Sequence, residues 1–294
     1  MKNLVIGQSG GPTAVINASL YGAVKAFRES GTDGHVLGMI NGIEGFLADH
    51  VMDLSSDLSD EELKLLKLTP AAYLGSCRYK LPANLESEVY PAIFDNFREM
   101  NIGYFLYVGG NDSMDTVDKL SRYAEKIGSD VKFIGIPKTI DNDLVLTDHT
   151  PGFGSAARYI AASVREISQD VRALPIHVSV VEAMGRNAGW IAAASALADD
   201  GNGSGPDFIY LPEKPFDEDQ FLTSIENKLR EKKGIVVVAS EGLKKKDGSP
   251  IVEPIFQVGR AVYYGDVGTH LANLVIKKLG YKARSEKPGL CGRA

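Results

Sequence analysis

Cysteine is nearly absent from this chain of 294 residues: Cys77 and Cys291 stand far apart and form no CxxC pair. That argues against a disulfide framework and a thiolate zinc site, and leaves two free thiols as the expectation. Long apolar runs are missing too, so no membrane span is expected. Basic charge is not massed anywhere, since 32 Lys and Arg are dispersed against 38 Asp and Glu for a formal net charge of −6. Neither a nucleic-acid backbone nor an anionic membrane is therefore an expected partner, and an anionic substrate requires a local basic pocket. No repeat, low-complexity tract or Pro/Ser-rich linker divides the chain. Met1-Lys2-Asn3-Leu4-Val5-Ile6-Gly7 opens a strand at once, without room for a signal peptide, which makes the cytoplasm the expected location. What is present, 44% apolar and 24% charged residues, is the composition of a folded protein long enough for two lobes.

Short apolar runs at 4–6, 36–40, 104–108, 133–136, 178–181 and 235–239 alternate with helix-length segments near 14–29, 114–127, 154–172, 188–198, 217–232 and 268–279. This is the βα alternation of parallel sheets covered on both faces, and it predicts an α/β fold of two Rossmann-like three-layer α/β/α lobes. A boundary is expected near Phe153, giving lobes at 1–152 and 153–290. Lys244-Lys245-Lys246-Asp247-Gly248 reads as a solvated hairpin turn. In such folds ligands bind at the carboxyl ends of the strands, where this sequence places its glycine and polar clusters.

Four clusters carry chemistry. Pro137-Lys138-Thr139-Ile140-Asp141-Asn142-Asp143 packs a cation, a hydroxyl and two carboxylates directly after an apolar run. Such a group suits phosphoryl transfer: a carboxylate takes the proton of an attacking hydroxyl, while an ammonium and a metal ion hold the charge that moves between phosphates. Gly7-Gln8-Ser9-Gly10-Gly11-Pro12-Thr13 leads from a strand into a helix, a place where glycines let backbone amides approach a phosphate. The same logic returns at Val108-Gly109-Gly110-Asn111-Asp112-Ser113, with Asn111 and Asp112 as candidate magnesium ligands. At Val181-Glu182-Ala183-Met184-Gly185-Arg186, the Arg186 guanidinium is placed to fork onto phosphate oxygens. An acidic loop, a tight turn and a capping Arg are the plain alternatives for these segments.

In this order and spacing, Gly-Gly-Asn-Asp-Ser, Pro-Lys-Thr-Ile-Asp-Asn-Asp and Met-Gly-Arg resemble the phosphofructokinase family, from Leu4 to Arg293. The resemblance implies the two-lobed fold of that family, a Mg²⁺ requirement, and transfer of a phosphoryl group to the 1-hydroxyl of fructose 6-phosphate. It implies Asp141 as the base, with Thr139, Ile140 and Asp143 lining the same loop. Met184, Gly185 and Arg186 are then sugar-phosphate contacts, Glu241 binds sugar hydroxyls, and Arg284 and Arg293 bind the 6-phosphate. Gly10, Gly11, Arg78, Gly110 and Ser113 are implied at the donor phosphates. Sites shared across subunits are implied as well, with His177 and Arg284 serving a neighbour in a homodimer or homotetramer. The family continues past residue 294, so a first lobe rejoined after about 291 and an abbreviated chain are expected.

Asp112 and Lys138 stand where ATP-using members carry glycine, and that pair marks members that use diphosphate. The physics agrees: a carboxylate in place of a hydrogen atom blocks and repels a nucleotide's α-phosphate, and Lys138 adds a charge for the departing phosphate. Within that family, reversible transfer from diphosphate to fructose 6-phosphate, in glycolysis and gluconeogenesis, is thus the leading expectation. An ATP-dependent phosphofructokinase and a non-catalytic regulatory subunit are the alternatives. Asn111 departs from the metal-binding Asp of many members, His177 from an Arg, and Leu290 from a His of ATP-users. Cys77 precedes Arg78 and Cys291 lies near Arg293, so alkylation of a thiol is expected to inhibit, with bound phosphate protecting.

Overall fold

Val36-Leu37-Gly38-Met39 and Ile235-Val236-Val237-Val238-Ala239-Ser240 contain no outward-facing polar alternation, and a strand of that kind is stable only where both faces are covered. The computed structural model, which describes residues 2–174, 177–258 and 261–293 (side chains outside 257–264), gives such strands central places in two parallel sheets. The chain divides between Thr139 and Ile140, so the first unit runs to Thr139 and the second from Ile140 to Arg293. The expected boundary lay near Phe153. The reason for the difference is local: Ile140 packs on the core of the second unit, and Asn142 ties the loop that follows to Asp148 and Thr150. The segment after 291, expected back in the first lobe, stays with the second unit as far as Arg293, and Ala294 lies outside the described residues.

In the first unit the strands are β1 (Asn3–Gln8), β2 (Val36–Met39), β3 (Val51–Asp53), β4 (Ile102–Gly109) and β5 (Lys132–Pro137). They form a sheet of order β3-β2-β1-β4-β5, with β3 antiparallel and the rest parallel. Its helices are α1 (Ile16–Glu29), α2 (Gly42–Phe46), α3 (Asp60–Leu65), α4 (Val89–Glu99) and α5 (Asn111–Ile127). One face buries Ile16, Leu20 and Val24 of α1 against Leu4, Ile6 and Val108; the other buries Phe46, Phe94, Phe97, Phe105 and Tyr107. Strand order reverses between β1 and β4, which puts the two glycine turns at the crevice where such sheets bind ligands.

The second unit holds α6 (Phe153–Ala173), β6 (Val178–Ala183), α7 (Trp190–Ala194), β7 (Phe208–Tyr210), α8 (Glu218–Glu231), β8 (Ile235–Ser240), β9 (Pro254–Val258), β10 (Ala261–Tyr264), α9 (Val267–Leu274) and β11 (Ala283–Glu286). Its parallel sheet has the order β11-β6-β8-β7, with β9 and β10 in a separate antiparallel pair. Apolar clusters cover both faces, one built on α6 and α7 and the other on α8 and α9. The expected turn at 244–248 is present, closed by Lys245 N–H to Ser249 O at 2.7 Å with Gly248 at φ 83°. No helix among the described residues is long and apolar enough to cross a membrane.

Phe97 is 2% exposed and its ring centroid lies 5.1–6.1 Å from those of Phe46, Phe94, Phe105 and Phe133. Phe97→Ala leaves a cavity among four rings, and the expected loss is about 3–5 kcal/mol of first-unit stability, read from a shifted urea midpoint.

Candidate active site

In the first unit the chain gathers around Lys138. At the end of β5 its backbone N–H donates to Gly109 O at 2.9 Å, and its side chain, 6% exposed, reaches back so that Nζ donates to Gly11 O. The Gly10 backbone is at φ 76°, a conformation an L-residue rarely adopts, and a Cβ there would stand 3.5 Å from Lys138 Nζ. Gly109 is held to glycine for a different reason: a Cβ would fall 1.9 Å from Ser113 Oγ, so the β4 end and the start of α5 pack at backbone distance. The structure thus unites Gly10, Gly11, Gly110, Ser113 and Lys138.

The helix α5 begins at Asn111, not at Met114 as the sequence pattern suggested, and Asn111, Asp112 and Ser113 therefore form its first turn. Ser113 N–H turns back onto Gly110 O at 2.9 Å, and the positive end of the helix dipole lies at this turn. Ser113 is buried, whereas Asn111 and Asp112 are exposed. Asp112 has a partner that the motif analysis missed: Lys80 Nζ, 3.0 Å from its carboxylate. The signal for it in the sequence is the basic Arg78-Tyr79-Lys80 run.

Arg78 is exposed at the end of a segment that the chain fastens to the first glycine turn. Gly10 N–H donates to Cys77 O at 3.0 Å, and Ser76 Oγ donates to Gly10 O at 2.6 Å. Behind these lies a fully buried amide pair, also missed by motif reading. Gln8 Nε2 donates to Asn17 Oδ1 at 2.9 Å, while Asn17 Nδ2 donates to Thr69 O and Ala71 O at 2.8 and 2.9 Å. Tyr73 N–H and Leu74 N–H return bonds of 2.9 Å to Asn17 Oδ1 and Gln8 Oε1. Cys77 is 6% exposed and 3.6 Å from the Tyr107 hydroxyl, whose pKa burial and the neighbouring thiol push far up, so this phenol acts as a neutral hydrogen-bonding group. The exposed thiol is Cys291.

In the second unit, Asn142 sits at φ 55° and 9% exposure, and bonds to Asp148 O and Thr150 N–H at 3.0 and 2.9 Å, giving the loop after Asp141 a fixed shape. Asp141 is half-buried and Asp143 exposed. The Met184-Gly185-Arg186 turn follows β6, and Glu241 follows β8, its strand neighbour. Glu241 N–H donates to Ala183 O at 2.9 Å, and a carboxylate oxygen of Glu241 accepts Gly185 N–H at 3.3 Å. Gly185 has φ 118°, and a Cβ on Gly242 would lie 1.8 Å from Arg186 O. Arg186, Glu241, Gly242 and Lys244 line a cavity of about 320 Å³.

Three expected residues are placed differently from one another. His177 stands at the amino end of β6, where its Nδ1 accepts Lys282 N–H at 3.3 Å, and Arg284 on β11 pairs in register with Ser179. At about 3.3 Å per residue, β6 separates His177 from Met184 by roughly 20 Å. Within one chain, then, neither His177 nor Arg284 joins the Arg186 turn. Arg293 follows Gly292, which lines a narrow crevice with Met184.

Among the described residues no group of three or more His, Cys, Asp or Glu could hold a metal ion. The donor set at α5, one carboxylate and one amide oxygen, fits a cation that keeps most of its water and takes its remaining ligands from phosphate.

The family model for phosphofructokinase matches residues 3–294 of this chain. The pyrophosphate–fructose 6-phosphate 1-phosphotransferase of Methylococcus capsulatus is 42% identical over 290 residues, spanning 96% of this chain and 68% of that protein. That of Xanthomonas campestris pv. campestris is 41% identical, spanning 99% and 71%. The crystal structure of pyrophosphate-dependent phosphofructokinase from Nitrosospira multiformis superposes with a TM-score of 0.87 at 39% identity, covering all of this chain and 70% of the other.

Asn17→Ala strands two carbonyls and a backbone N–H in a buried place and takes one of two acceptors from Gln8 Nε2, leaving Ile16 O. The expected loss is roughly 2–3 kcal/mol, with faster hydrogen exchange at Tyr73 and Leu74 than elsewhere in the first unit.

Proposed function

The chain belongs to the phosphofructokinase family, and we propose that it catalyses the reversible transfer of a phosphoryl group from diphosphate to the 1-hydroxyl of fructose 6-phosphate. The observation that carries the choice of donor is Lys138, its ammonium bonded to Gly11 O beside the glycine turn, in a unit whose α5 opens with Asp112. The Gly10 and Gly11 backbone, Gly110, Ser113 and Arg78 hold the diphosphate. Lys138 stabilises the charge that builds on the departing phosphate. Asp112 and Lys80 together make a polar rim in which a carboxylate excludes a nucleotide's α-phosphate and a compact diphosphate is accepted.

On the acceptor side, the Met184-Gly185-Arg186 turn and Glu241 take the sugar phosphate: Glu241 accepts from sugar hydroxyls and Arg186 binds phosphate oxygens through the transition state. Asp141 removes the proton of the 1-hydroxyl as its oxygen forms the new bond to phosphorus, while the bridging bond of diphosphate breaks and phosphate leaves. Thr139, Ile140 and Asp143 shape the loop around that carboxylate. Asn111 and Asp112 would hold Mg²⁺, which would supply neutralising charge at the phosphates.

His177 and Arg284 serve the sugar phosphate of a second copy, a reading supported by their distance along β6 from Arg186. The active form is accordingly a homodimer or homotetramer. Two free cysteines support the cytoplasm as its compartment.

Parallel assays of the purified protein with diphosphate and with ATP test the donor. Turnover is expected with diphosphate, and activity with ATP alone refutes the reading. Asp141→Ala is expected to fold normally and lose about 10²–10⁴-fold in kcat. Asp112→Gly is expected to raise kcat/KM with ATP, because both the steric and the charge obstacle are removed.

A further inference from the structure

Glu182 is the penultimate residue of β6, two positions before Met184, and its side chain is 2% exposed. A carboxylate so far from water requires partners for both oxygens. It finds them on two other elements. One oxygen accepts the N–H of Gly268, in the first turn of α9, at 2.8 Å, and the other meets Lys287 Nζ at 2.7 Å. Lys287 also pairs with Asp266, just ahead of α9. Burial pulls the Lys287 pKa down, but its hydrogen bonds to Asp266 and Glu182 outweigh this and leave it above the ordinary value, so the cation persists at any working pH. A Cβ on Gly268 would stand 2.5 Å from Ser285 Oγ and 3.2 Å from Glu182 Cβ, so α9, β6 and β11 close tightly around the pair.

The place of Lys287 in the chain gives the pair its consequence. It separates β11, which carries Arg284, from the 3₁₀ turn Gly289–Gly292 that leads into Arg293. The register of β11 with β6 ends at Glu286 opposite Val181. Beyond that point Pro288, Gly289 and Gly292 lie against Tyr159 and Met184 along the crevice. Strand pairing therefore stops one residue before the arm 287–293 begins, and the first side chain of the arm is the one that grips Glu182.

We propose that the Glu182–Lys287 ion pair, with Asp266 beside it, is a positioning device that fixes the arm 287–293, and Arg293 with it, against the Met184-Gly185-Arg186 turn. The proposal rests on the reading of that turn as the sugar-phosphate site. Glu182 and Lys287 act through Arg293 and Met184, and the pair sets affinity for fructose 6-phosphate without touching the diphosphate groups of the first unit.

The test uses the full chain with Lys287→Met, Lys287→Arg and the double variant Glu182→Gln/Lys287→Met, in which no buried charge is orphaned should the single Met variant fail to fold. Supporting outcomes are a KM for fructose 6-phosphate raised about tenfold or more, a KM for diphosphate within about twofold of the original, and recovery in Lys287→Arg. An unchanged KM for the sugar phosphate, or equal rises in both KM values, overturns the proposal. Should the unaltered protein fail to turn over fructose 6-phosphate with diphosphate, the functional reading fails and hydrogen exchange decides the device. Protection lost selectively across 288–293 in the double variant supports it, and unchanged protection there overturns it.

Discussion

An ammonium taken out of water must be met by oxygen atoms close at hand, and Lys138, only 6% exposed, imposes that condition on the whole carboxyl edge of the first sheet. Its Nζ is satisfied by Gly11 O, which belongs to the turn after β1, and its own N–H by Gly109 O, at the end of β4. Strands β1, β4 and β5 must therefore end side by side, which the parallel order β1-β4-β5 accomplishes. The turn after β1 must also come close, and glycine at position 10 permits its left-handed backbone. Several glycines that looked like separate phosphate turns in the sequence are, in three dimensions, the walls of one lysine's socket.

The second unit solves the converse problem. Its tight turn after β6 presents backbone N–H groups, and a carboxylate meets one of them: Glu241 accepts Gly185 N–H while its own N–H donates to Ala183 O. Ser240 Oγ adds a bond to Gly185 O at 2.6 Å and accepts Gly242 N–H at 3.1 Å. Two neighbouring strand ends are thus laced by side chain and backbone together. A turn held in this way presents Arg186 from a rigid base, with little left to reorganise when a partner arrives.

How far the sequence could be read follows from the range of the forces involved. Buried parallel strands announce themselves as unbroken apolar runs, and β1, β2, β4, β6 and β8 stand at such runs; β5 stands at one too, although it is the edge strand and leaves Ile134 52% exposed. Short edge elements do not: β3, β7 and β11 have three or four residues, and α4 mixes Asp95, Asn96 and Arg98 into an aromatic stripe. The glycine and acidic clusters were legible because their chemistry is local. Lys80 beside Asp112, the Gln8–Asn17 pair and Lys287 on Glu182 were not, since each joins residues 9 to 105 positions apart and only packing reveals that they meet. The start of α5 illustrates the same limit. Pattern alone placed the asparagine and aspartate before the helix, whereas Gly110 serves as N-cap and Asn111 already lies in the first turn.

A protein with a net charge of −6 that handles two phosphorylated ligands has to concentrate its positive potential without becoming basic. Backbone amides are able to do this at no cost in charge, and glycine turns and helix starts are where proteins present them. Three lysines are each restrained by an oxygen partner: Lys138 by Gly11 O, Lys80 by Asp112, Lys287 by Glu182 and Asp266. Such restraint lowers the entropy lost when a ligand arrives, and it keeps each charge at one place in the absence of ligand. Replacing a partner oxygen therefore alters the site as surely as replacing the cation. For this reason Asp112 and Glu182 govern where Lys80 and Lys287 stand as much as the lysine stems do.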